Sequence, residues 1–205
     1  MMSGKRVAVR ITDPESAKGK QLQELDRLAG RIRAPCLDQA VTIERLLTWI
    51  IAYHFCPEEE RRILLYSLVI NRPSFNFNRK IIVLDQILAL KYPDLAESYP
   101  ELTARLHEVR KFRNRIAHAE VDRSDEFLSR KVDDTIQLIF YKNGQTRTEL
   151  VTTDDIRKRL AECSSIILAL AALYDEIVQR VSANDEQTAR EARDGDPQSI
   201  SEVMN

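Results

Sequence analysis

The chain has 205 residues, 43% of them hydrophobic, which suits one domain with a proper core. Its formal net charge is only −1 although 31% of the residues are charged, so no global field draws it to nucleic acid or to an anionic membrane, and any contact with RNA must use a local patch. Five glycines with no G-x-G-x-x-G and no G-K-[ST] argue against a phosphate-cradling loop, and three scattered cysteines, Cys36, Cys56 and Cys163, fit neither a disulfide framework nor a C-x-x-C site.

The N-terminus is too poor in apolar residues for a signal peptide, and no apolar run approaches a membrane span. With the cysteine usage, this predicts a soluble, cytoplasmic protein. Residues 1–13 hold one alternating piece, Val7, Val9 and Ile11, open to reading as a short strand or as an arm. From Pro14 to about Ile32, Leu22, Leu25 and Leu28 among charged residues spell a solvent-facing amphipathic helix. Asp38 is placed to cap the next helix, through about Phe55, whose Val41, Ile43, Leu46, Leu47, Trp49, Ile50 and Ile51 cover most of its circumference and predict a central position. His54 at its end reads as neutral packing or a dipole contact rather than a ligand.

Pro57 before three glutamates starts a helix carrying Ile63, Leu64, Leu65, Leu68 and Ile70, and Arg72-Pro73 ends it. Phe75 and Phe77 in the following connector suit core or cap packing better than base stacking. A helix from about Asn78 to Lys91 breaks at Tyr92-Pro93, and after Pro100 another begins. Beyond Val121 the charged segment to Asp133 is a loop or a short helix. Then the period changes. Thr135 to Tyr141 alternates, Asn143-Gly144 is a strong hairpin signal, and Thr146 to Val151 returns, which inserts a β-hairpin near 135–151. Two strands alone are marginal, so the hairpin must pack on helices, on the N-terminal strand or on a partner chain. Thr152-Thr153-Asp154-Asp155 fits a capping box for a last helix over Ile156 to Val181, apolar on more than one face, as if buried against the bundle and a second subunit. The polar, aperiodic residues 184–205 are expected to be a disordered tail. The fold class is therefore all-α, a bundle of about five to six helices with an inserted hairpin, forming a single domain over residues 1–183.

One stretch stands out chemically. Arg110, Lys111, Arg113 and Arg115 fall within six positions, and His118 follows. At about 100° per residue, Leu102, Leu106, Val109, Phe112 and Ile116 form an apolar stripe, and Arg113 lies inside it. A guanidinium there costs several kcal/mol unless a carboxylate, a carbonyl or a bound anion compensates it. Asn114 and His118, four apart, share the adjacent polar face with Lys111 and with His107, which reads as a surface residue. Arginine, amide and imidazole at one groove edge suit a phosphodiester, since arginine is a two-pronged phosphate donor and imidazole moves protons near neutral pH. The plainer reading is a solvated basic face with Arg113 paired to a nearby acid. No histidine pair has metal-ligand spacing, and no G-x-S-x-G elbow is present.

Arg113-Asn114-Arg115-Ile116-Ala117-His118 resembles the Arg, polar residue, three more residues, His signature of HEPN domains. The resemblance extends in layout over roughly Asp38 to Val121, including Ser74 to Lys80 running into Ile81 to Leu84. It implies a HEPN-like helical bundle and a metal-independent endoribonuclease, without cofactor, acting as a homodimer in phage defence or in a toxin–antitoxin or stress response. Arg113 and His118 would be the catalytic pair, with Asn114 as their polar companion, and Arg110, Lys111 and Arg115 would grip RNA phosphates. RNA is the implied partner, with room for an antitoxin or inhibitory protein and none for a membrane. In the branch of the family regulated by adenylylation a Tyr stands two residues after the His, where this chain has Glu120, which puts that regulation in doubt. Two other readings stand beside the nuclease: a non-catalytic dimeric RNA- or protein-binding module, and a structural helical protein with Arg113 neutralised internally.

Overall fold

The computed structural model describes residues 13–130 and 133–194, so the alternating piece at Val7, Val9 and Ile11 lies outside the described residues. In chain order the elements are α1 (Ala17–Phe55), α2 (Glu59–Leu65, running on as the π-helical Tyr66–Ile70), α3 (Phe77–Lys91), α4 (Pro93–Ser98), α5 (Leu102–His118), β1 (Glu120–Val121), α6 (Asp125–Arg130), β2 (Thr135–Lys142), β3 (Gln145–Thr152) and α7 (Thr153–Asp194). The chain is thus mostly helical with a small antiparallel sheet, as its periodicity predicts. It forms two units. The first combines the residues up to Asp38 with Arg113–Leu160, and the second combines Gln39–Phe112 with the residues from Ala161 onward.

Ser16 opens α1, its Oγ accepting the N–H of Gly19 at 3.0 Å. The sequence pattern predicts two helices here, the second capped by Asp38, but α1 is one helix of 39 residues that runs through Pro35. Its buried residues Leu25, Leu28, Ile32, Cys36, Ala40, Ile43, Leu47 and Ile50 keep the three-to-four spacing on both sides of the proline. A helix-interior proline costs about 3 kcal/mol, whereas each large apolar side chain buried along such a stripe contributes about 1.5–3 kcal/mol, so the stripe wins.

In the first unit β2 is the central strand. Val121 pairs with Leu138 on one side, and Thr135 pairs with Thr152 through to Lys142 with Gln145 on the other. Asn143 at φ 53° and Gly144 at φ 74° both take the left-handed conformation of a type I′ turn, as the Asn-Gly pair predicts. The two-residue β1 was not legible beforehand, and it supplies the third strand that the hairpin needs. Ile136, Leu138, Val151, Phe127, Ile116 and Leu25 are all buried in this unit. Gln137, also buried, donates from Nε2 to Asp122 Oδ2 at 2.7 Å, so neither polar group is left unsatisfied. The expected capping box forms at α7. Thr152 Oγ1 accepts the Asp155 N–H at 3.1 Å and Asp155 Oδ2 accepts the Thr152 N–H at 3.1 Å, and the Thr152 hydrogen bonds hold the Asp155 carboxyl below its usual pKa.

The second unit has a core of Ile43, Leu47 and Ile50 from α1, Ile81, Leu84 and Leu88 from α3, Leu102, Leu106 and Val109 from α5, and Ile166, Leu170, Leu173 and Ile177 from α7. Phe77 is buried and Phe75 packs against the same cluster, as expected for core residues. His54 Nδ1 lies 3.0 Å from the Tyr92 hydroxyl; burial, with a smaller push from Lys91, lowers the histidine pKa. Burial likewise raises the Tyr92 pKa. Arg180 forks onto Asp94 at 2.9 and 2.5 Å and holds that carboxyl below its usual range.

Two expectations are corrected here. Trp49 and Val41 face solvent, so the helix through Phe55 is not buried around most of its circumference; the Glu59–Leu65 part of α2 likewise buries none of its residues, leaving Ile63 and Leu64 exposed. The last helix continues through Asp194, so residues 184–194 are helical rather than a disordered tail; residues 195–205 lie outside the described residues. Cys36 and Cys163 are buried, Cys56 is half-buried, and none forms a disulfide. Among the described residues no helix is long and apolar enough to cross a membrane.

Candidate nucleic-acid interface

All six candidate residues lie on α5, and the division between the units falls inside that helix, between Phe112 and Arg113. Arg113, Asn114, Arg115 and His118 therefore belong to the first unit and Arg110 and Lys111 to the second.

In the first unit the stripe residue Ile116 is buried, and Arg113 beside it is half-buried. Arg113 Nη1 donates to Asn114 Oδ1 at 3.1 Å and pairs with no carboxylate among the described residues. That leaves most of a five-donor fork open to an anion. His118, in the last turn of α5, is exposed and has no hydrogen-bond partner among the described residues, so its ring is open to a proton donor or acceptor from outside. Asn114 is half-buried four residues before it, which puts the two on one side of the helix, with Arg113 tied to that side through the amide.

Arg115 behaves differently. Its Nε lies 3.9 Å from Glu149 Oε2 on β3, so this expected phosphate grip is shared with the hairpin. In the second unit Lys111 is paired with Glu108 at 2.6 Å on the surface, an i,i+3 bond that a phosphate would have to displace. Arg110 is half-buried, and its Nε is buried with no hydrogen-bond partner among the described residues. An unsatisfied guanidinium N–H costs about 1–3 kcal/mol, which an anion binding there would recover.

Three groups that the sequence did not single out hold the end of the helix. Arg33 on α1 donates from Nη2 to the Ala119 carbonyl, directly beyond His118, and so satisfies one of the orphan acceptors at the C-terminus of α5. Then Val121 enters the sheet and Asp122 anchors the chain, its N–H bonded to the Gln137 carbonyl at 2.8 Å and its Oδ1 accepting the Ser124 N–H at 2.9 Å. His118 thus sits two residues before a segment fixed by backbone pairing, which gives the end of α5 a rigid placement. Among the described residues no cluster of three or more His, Cys, Asp and Glu could hold a metal ion. No family model matches the chain, and neither a curated protein nor a solved structure matches it.

Proposed function

We propose that this chain is a metal-independent endoribonuclease of the HEPN type, working as a homodimer in phage defence or in a toxin–antitoxin or stress response. One observation carries this: Arg113, set beside the apolar stripe, has an amide and no carboxylate for its partner among the described residues, while His118 at the same end of α5 is open to solvent. In the reaction His118 takes the proton from a ribose 2′-hydroxyl, the 2′-oxygen attacks the adjacent phosphorus, and the bond to the 5′-oxygen breaks. The products are a 2′,3′-cyclic phosphate and a 5′-hydroxyl. A single imidazole does not reach both the 2′-oxygen and the leaving 5′-oxygen, so the His118 of a second copy donates the proton to the leaving group. Arg113 stabilises the added charge on the phosphorane-like transition state, and Asn114 fixes the guanidinium.

The test is cleavage of single-stranded RNA in the presence of EDTA. Cyclic-phosphate ends are expected, and His118→Ala and Arg113→Ala should each lower the rate by about 10²–10⁴ at unchanged thermal stability. The alternative, a non-catalytic RNA- or protein-binding module on the same helix, is favoured by the pairing of Lys111 with Glu108 and of Arg115 with Glu149, which leaves fewer open phosphate grips. In that case the parent chain binds RNA or its protein partner without cutting, and both substitutions weaken binding alone.

A further inference from the structure

Apart from the signature, the second unit carries a recess of about 220 Å³ lined by Glu44, Arg45, Thr48, Tyr66, Asn71 and Lys80. Lys80 enters it from the first turn of α3 with a side chain only 10% exposed, and its Nζ lies 2.8 Å from Glu44 Oε1. A buried ammonium is stable only when its donors are well met, and this one uses a single N–H on the protein. Thr48 does not help, because its hydroxyl turns back onto the Glu44 carbonyl at 2.9 Å. Glu44 Oε2, the Arg45 guanidinium and the Asn71 side-chain amide have no hydrogen-bond partner among the described residues. Alongside stand two exposed aromatic rings, Trp49 and Tyr66, stacked with centroids 6.5 Å apart and planes 16° from parallel.

The recess is smaller than the roughly 300–1,000 Å³ of cavities that engulf a whole ligand, so it suits one end of a longer molecule. Cations and an amide suit a phosphate, a carboxylate oxygen suits a sugar hydroxyl, and a stacked pair of rings suits a base. We propose that this recess binds a nucleoside 5′-phosphate, free or as one unit of a single strand. Arg45 and Lys80 take the phosphate, Glu44 Oε2 accepts a ribose hydroxyl, and the base stacks on the Trp49–Tyr66 platform. None of these residues belongs to the signature, so the site stands whether or not the chain is a nuclease.

Trp49 is the one tryptophan of the chain, so stacking on it is read directly as quenching of intrinsic emission. The full chain is titrated at low salt with AMP and, separately, with a short oligoadenylate. Saturable quenching is expected, weakened about tenfold or more by Arg45→Ala and by Tyr66→Ala and unchanged in Arg157→Ala, an exposed side chain outside the recess. Both substituted side chains are exposed, so thermal unfolding of the unliganded variants should match the parent. Saturation by AMP assigns a free nucleotide, and saturation by the oligoadenylate alone assigns a unit of a strand. Linear quenching with both probes overturns the proposal, as does saturable quenching that neither substitution changes. Quenching that follows protein concentration alone also overturns it and makes this surface a contact between protein molecules.

Discussion

A guanidinium beside a core needs an acceptor, and Arg33 and Arg113 meet that need in different ways. Arg33 is occupied by the Ala119 carbonyl, whereas among the described residues Arg113 has only the Asn114 amide oxygen and keeps donors to spare. Arg33→Ala leaves that carbonyl unpaired at the end of α5 and is expected to cost about 1–3 kcal/mol in a urea melt, with Arg33→Lys recovering part of the loss. Because His118 stands one residue before the lost contact, the RNA cleavage proposed for this chain should fall in Arg33→Ala even at temperatures where the variant is fully folded. The placement of Arg113, Asn114 and His118 at one helix end was legible in the sequence, because within a helix periodicity alone decides which side each residue faces. Arg33 was not, since its acceptor is 86 residues away and nothing local marks the pair. The same holds for Glu149, brought to Arg115 by a hairpin whose register only the folded sheet reveals.

Elements announced by local chemistry were readable, and those decided by long stripes or by pairing were not. The Thr152–Asp155 box and the Asn143-Gly144 turn each need only a few consecutive residues, and both form as the sequence predicts. Thr152→Ala should remove about 1 kcal/mol of stability through the loss of the α7 cap. Gly144→Ala meets no steric neighbour but must hold a side chain at φ 74°, which should cost about 1 kcal/mol in the same thermal or urea melts. Pro35 shows the opposite case, since the local rule to break the helix is overridden by apolar spacing on both sides of it. Pro35→Ala restores an N–H to the middle of α1 and is expected to raise stability by about 2 kcal/mol; a lower unfolding midpoint would show that the proline geometry itself is needed. β1, two residues long, carries no periodicity at all, so only its pairing with β2 identifies it.

For the whole molecule, the boundaries of the two units fall after Asp38, Phe112 and Leu160, each inside a helix, so no linker or shift in composition marks them in the sequence. Its stability should follow pH in two steps. His54 has a folded pKa below the usual 6.5, so as pH falls the unfolded chain takes up that proton first and stability declines from just below pH 6.5 until the folded value is passed. Asp94 and Asp155 have folded values below the usual 3.8, so their contribution is complete above that pH and is lost as pH falls through their folded values. Chemical unfolding across pH 3 to 8 should therefore show a plateau near neutrality, and His54→Gln should abolish the upper decline while leaving the acidic one.

The placement of the sulfur atoms offers a built-in reporter. Cys36, 4% exposed, lies in the first unit, and Cys163, 6% exposed, lies in the second, whereas Cys56 is only half covered. An alkylating reagent should modify Cys56 first, and the two slower reactions that follow then time the opening of each half of the molecule separately, with peptide mass spectrometry telling one from the other and no engineered label required.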